Sequence, residues 1–85
     1  MNNDFEDFEP TKPNLYEVTF DTKKGGDRHW VIHIESYDAK AARAGAEALW
    51  YDFTHLGAHM FHIKVRRLKP TEEFQYHWFK ELPQA

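Results

Sequence analysis

Two runs of alternating side chains, joined by a short glycine-containing connection, constrain this chain more than any other feature of it. From Leu15 to Phe20 the sequence L-Y-E-V-T-F puts Tyr16, Val18 and Phe20 on one side. From His29 to Tyr37, Trp30, Ile32 and Ile34 share one side, and His29, Val31, His33 and Glu35 share the other. A period of two is the mark of a strand with one buried face. Between the runs lie Lys23, Lys24, Gly25 and Gly26, a polar turn whose glycines admit positive φ. Two strands so close in sequence pair as an antiparallel hairpin.

The period then changes. Asp38 stands where its carboxylate can cap a helix by accepting free N–H groups of the first turn. The following A-K-A-A-R-A-G-A-E-A-L-W-Y-D-F is rich in alanine and free of proline, which favours a helix. Ala42, Ala46, Leu49 and Phe53 recur at three- and four-residue steps and are expected to face the core; Gly57 is the expected stop. Met60–Leu68 alternates again, with Phe61, Ile63 and Val65 inward and His62, Lys64 and Arg66 outward. The tail F-Q-Y-H-W-F fits a strand and a helix about equally by spacing. Its aromatic density favours a fourth strand.

The expected fold is therefore α+β: an antiparallel sheet of three to four strands in the order β-β-α-β, the tail favouring a final β, with one helix on one face. The other sheet face is expected to be open. Residues 1–13 read as a flexible acidic arm, 14–82 as one domain and 83–85 as a tail. At 85 residues the chain is too short for a two-domain enzyme, a full dinucleotide fold or a closed (β/α) barrel. Without cysteine it has no disulfide framework, thiolate metal site or thiol nucleophile, and it fits a reducing cytoplasm. No apolar run approaches the roughly 18 residues of a membrane span, and the acidic start does not read as a signal peptide.

Charge is uneven along the chain. Asp4, Glu6, Asp7 and Glu9 load the first ten residues, whereas Lys64, Arg66, Arg67 and Lys69 crowd a stretch with no acid. The net charge of −3 argues against a generic nucleic-acid binder. His62, Lys64 and Arg66 share one strand face and fit an acidic protein surface or, as the alternative, a nucleic-acid backbone with tail aromatics stacking on bases. Trp50 and Tyr51 are adjacent, so one of them must face outward; together with Trp78 they are candidate interface anchors. In the arm, Asp4, Phe5, Asp7 and Phe8 can fold onto a basic groove. Ala41, Gly45 and Ala48 make a smooth stripe that is expected either to approach the sheet closely or to form a homodimer seam.

Catalytic and metal chemistry have weaker support. His29 and His33 share a strand face that His62 and Lys64 can join, a set able in principle to cleave a phosphodiester by acid–base catalysis, but an open face would not exclude water. His55, His59 and His62 have metal-like spacing, yet Gly57 interrupts any shared helical face. No catalytic residue, metal ligand or cofactor is assigned.

The acidic start, L-Y-E-V-T-F, Y-D-A-K-A-A-R-A-G-A-E-A-L-W and H-I-K-V-R-R-L resemble small phage or mobile-element proteins of β-β-α-β type, over residues 15–68. The resemblance implies a role in host takeover, including inhibition of bacterial defence nucleases of the kind anti-CRISPR proteins perform. It implies a larger bacterial protein or nucleoprotein complex as partner in the host cytoplasm, and it transfers no residue-level role.

Overall fold

The computed structural model describes residues 13–23, 25, 28–54 and 59–83. Strands β1 (Asn14–Asp21) and β2 (His29–Ser36) are followed by helix α1 (Ala39–Thr54), β3 (Phe61–Arg67) and the short β4 (Lys80–Leu82). The four strands form one antiparallel sheet in the order β3-β1-β2-β4. The helix packs on one face of it, which gives the α+β class expected from the change of period. Asp4, Phe5, Asp7, Phe8, His55 and Gly57 lie outside the described residues.

The hairpin follows from the alternation. Asn14 to Asp21 on β1 pair without interruption against Ser36 to His29 on β2, and Thr22 N–H donates to Arg28 C=O at 2.9 Å to start the turn. Tyr16, Val18 and Phe20 are buried on the helix side together with Ile32. Asp38 caps α1: its Oδ1 accepts the Ala41 N–H at 2.7 Å and its C=O accepts the Ala42 N–H. That satisfies a donor with no partner inside the helix.

The buried stripe of α1 is Ala42, Ala46 and Trp50, not the expected Ala42, Ala46, Leu49 and Phe53. Leu49 is half-buried and Phe53 is 40% exposed. Four-residue steps overshoot the 3.6-residue turn only slightly, so positions 42, 46 and 50 stay on one face. The two alanines keep the helix close to the sheet, and the large indole of Trp50 fills the space at its far end. Its ring meets Phe20 and Phe79 at 4.9 Å, Trp30 at 5.1 Å and Phe53 at 5.4 Å, edge-to-face except for the tilted contact with Phe53. Such contacts add about 0.5–1.5 kcal/mol each beyond burial.

The small-residue stripe is divided by the fold. A Cβ at Gly45 would stand 3.0 Å from Ile34 Cδ1, so close approach to the sheet explains the glycine. Ala41 and Ala48 are exposed.

Two expectations about the far side of the sheet need correction. The fourth strand is Lys80–Leu82, not the F-Q-Y-H-W-F segment. That segment still runs beside β2, and Tyr76 C=O accepts the His33 N–H at 2.7 Å. The second face is also not bare: Val31 and His33, which point away from the helix, are 1% and 4% exposed. The rings of Phe74 and Tyr76 pack on His33, with centroids 5.7 and 4.8 Å away. Pro70 stops β3, and the chain returns along the outer face to reach β4.

Candidate functional site

The face away from the helix is a small grid. Glu17, Thr19 and Asp21 alternate on β1. Opposite them on β2 stand His33, Val31 and His29. On β3, Arg66 stands opposite Glu17, and Lys64 opposite Thr19. After Lys64 the register shifts so that Phe61 pairs with Asp21. Two residues of β3, Ile63 and His62, then lie opposite Phe20 alone, which is a β-bulge. The extra residue is His62, with φ of 54°. Left-handed backbone at a non-glycine residue costs about 1–3 kcal/mol and persists only where the surroundings impose it.

Asp21 is what the bulge serves. His62 Nδ1 donates to Asp21 Oδ2 at 2.7 Å, and His29 Nδ1 hydrogen-bonds Asp21 Oδ1. Burial opposes ionisation of Asp21, but the hydrogen bonds from His62 and His29 and their attraction outweigh it, so its carboxyl sits below the usual value. An ionised carboxylate only accepts, so each Nδ1 carries a proton. Asp21 is nearly buried, while the two imidazoles are about half-exposed. Thr19, Phe20, Asp21, His29, His62, Lys64 and Leu82 line a hollow of about 480 Å³.

The neighbouring row is a closed network. Arg66 donates to both Glu72 oxygens at 2.9 Å and to Glu17 Oε1 at 3.1 Å. His33 Nε2 donates to Glu17 Oε2 at 3.1 Å, while its Nδ1 accepts the Gln75 N–H at 3.0 Å. Glu72 also accepts the Lys69 N–H at 2.7 Å. The Arg66 bonds above all, then that backbone bond, depress the Glu72 carboxyl to about 2. One carboxylate therefore holds an arginine and a histidine, and the next holds two histidines. Between them Lys64 has no carboxylate partner among the described residues.

This arrangement redistributes the expected site residues. His62 and Lys64 come together in the hollow, with His29. Arg66 is exposed but fully engaged in ion pairs, and His33 is a buried anchor for the returning segment, outside any acid–base set. Trp50 is a core residue at 3% exposure and cannot anchor a partner; of that adjacent pair, Tyr51 is the outward one at 63%. Trp78 is 49% exposed, in edge-to-face contact with Phe53 at 5.8 Å. Among the described residues no group of three or more His, Cys, Asp or Glu is placed to hold a metal ion, and no helix is long and apolar enough to cross a membrane.

Sequence reasoning does not single out Asp21 or Glu17 as an organising acid, since each takes that role only through its cross-strand partners. Both were legible as outward positions of β1 once its pairing partners were known. Comparison with protein-family models, curated proteins and solved structures yields no match to this chain.

Proposed function

We propose that this is a binding protein and not a catalyst, and that it covers a surface of a larger bacterial protein through the ridge formed by Phe53 and Trp78. The observation that carries this reading is the exposed Trp78–Phe53 pair. It rests on Phe79 and Trp50, which are buried, with Phe53 5.6 Å from Phe79 and Trp78 5.5 Å from it. A tryptophan held by packed rings loses little freedom on binding, and indoles are over-represented among residues that dominate interface energy. The acidic residues at positions 4–9 supply long-range charge for the encounter. The likeness to phage proteins supports a blocking role in a host cytoplasm.

The nucleic-acid alternative loses its main support on this face. Arg66, the centre of the expected basic row, is neutralised by Glu17 and Glu72, and a phosphate would have to displace both.

The test is affinity capture from bacterial lysate with wild type, Trp78→Ala and Tyr37→Ala, each with and without nuclease, followed by titration of the captured protein. Tyr37 is an exposed aromatic just before the start of α1, whereas Phe53 is at its end. Trp78→Ala should weaken binding by about 2 kcal/mol, about thirtyfold, and Tyr37→Ala should leave it unchanged. Capture abolished by nuclease, or indifferent to Trp78→Ala, overturns the proposal.

A further inference from the structure

The hollow on the outer face lies on the side of the sheet opposite α1, because Thr19, Asp21, His29 and Lys64 alternate with residues that face the helix. It shares no residue with the aromatic ridge. Three independent features meet in it. It is a substantial hollow, of the size that holds a small organic molecule. The backbone of His62 is held in a left-handed bulge at its rim. It also contains a lysine without a carboxylate partner among the described residues, beside two histidines that are bridged by one nearly buried carboxylate.

The roles of these groups follow from their bonds. Asp21 occupies the Nδ1 side of both imidazoles, so each ring keeps its Nε2 for another partner. No hydrogen bond to either Nε2 is formed among the described residues. A ring that also carries a proton on Nε2 presents that nitrogen as a donor. Lys64 adds an ammonium, and Thr19, its cross-strand neighbour, a hydroxyl. The hollow thus offers donors and positive charge, while its single carboxylate is already satisfied. A metal cation would be set against the Lys64 ammonium. A tetrahedral oxyanion with several acceptor oxygens meets every available group.

We propose that this hollow binds the phosphate group of a small phosphate monoester, held by Lys64 and by the Nε2 atoms of His29 and His62, with Asp21 orienting both rings. Leu82 from β4 supplies an apolar wall for the organic part. The charged and titratable groups around the site are Asp21 from β1, His29 from β2, and His62 and Lys64 from β3; β4 contributes only Leu82.

The experiment is an NMR titration of the histidine ring protons with inorganic phosphate and, separately, with adenosine 5′-monophosphate, at constant ionic strength set with chloride. Saturable shifts confined to His29 and His62, leaving His33 and His59 unmoved, are expected, with dissociation constants of about 1 mM or tighter. Tighter binding of the nucleotide identifies an organic phosphate as the ligand; equal binding of the two assigns the site to free phosphate. Lys64→Ala and His62→Asn should each weaken binding at least about tenfold, asparagine being tolerated in the left-handed region. Arg67→Ala removes an exposed cation outside the hollow and should leave affinity unchanged. Absence of saturation at about 50 mM ligand, an undiminished response in Lys64→Ala, or an equal loss in Arg67→Ala would overturn the assignment. The dispersed amide spectrum of each variant shows whether it is folded.

Discussion

Gly45 is the position where two opposing effects of known size can be separated by experiment. Inside a helix, glycine is worse than alanine by about 1 kcal/mol, so Gly45→Ala should stabilise if nothing stands in the way. Something does: the new Cβ would lie 3.0 Å from Ile34 Cδ1, against the roughly 3.5–4.0 Å at which carbon atoms attract. Ile34 is half-buried and its Cδ1 is the end of a rotatable side chain, so it can swing aside. Moving a side chain by about 30° from its rotamer costs about 0.5–1.5 kcal/mol. The two effects nearly cancel, and Gly45→Ala alone should change stability by less than about 0.5 kcal/mol.

Ile34→Val removes the obstructing atom. By itself it should cost about 0.5–1.5 kcal/mol. In that background Gly45→Ala should recover the whole helix gain of about 1 kcal/mol, worth roughly 4–8 °C in midpoint for a domain of this size. Urea denaturation of wild type, both single variants and the double variant closes the cycle, and the coupling should be about 1 kcal/mol. Gly45→Leu, which adds volume that Ile34 cannot evade, should lose about 1–3 kcal/mol, while Lys40→Leu on the exposed face should stay within about 0.5 kcal/mol of wild type. An equal gain from Gly45→Ala in both backgrounds would refute the reasoning, since the glycine would then not be pressed against Ile34.

Two further perturbations probe the outer face. Glu72 has its folded value depressed from 4.5 to about 2, so its contribution is fully present above about 4.5 and disappears as pH falls through about 2; the difference in thermal midpoint between wild type and Glu72→Gln should shrink across that window. His33→Phe keeps a ring in the buried site but can neither accept the Gln75 N–H nor donate to Glu17, so it should cost about 1–3 kcal/mol, and hydrogen exchange should show the Gln75 amide losing protection by a larger factor than Val18; equal losses at both would mean that His33 does not fasten the segment.

The elements that alternate cleanly were legible because their burial is decided within the element. Tyr16, Val18 and Phe20 face the helix whatever lies beyond, and an alanine-rich run after Asp38 forms a helix on local grounds. Trp50 was harder. Leu49 and Trp50 lie about 100° apart around the helix, and which of them reaches the core depends on where the sheet curves beneath it. The tail was least legible, since its aromatics have three different destinations. Phe74 and Tyr76 cover His33 on the outer face, Trp78 stands out on the ridge, and Phe79 enters the core between Phe20 and Trp50. No single period describes such a segment. The bulge at His62 left no mark either, because left-handed positions are usually signalled by glycine or asparagine.

The histidines show how far pairing matters beyond composition. Six histidines in 85 residues invite grouping by spacing, and spacing groups His29 with His33. The fold separates them according to the acid that each one meets across the hairpin. His33 faces Glu17, is buried beneath Phe74 and Tyr76, and spends both ring nitrogens on structure. His29 faces Asp21, remains half-exposed, and spends one. Burial is what divides the two rows: where the returning segment covers the sheet, every polar group must find a partner inside the protein, and where it passes on toward β4, the groups may face a ligand instead. The boundary falls at Thr19 and Lys64. Lys64 thus lies in the hollow with no carboxylate partner among the described residues, and its replacement is the variant that separates a ligand site from a merely well-paired surface.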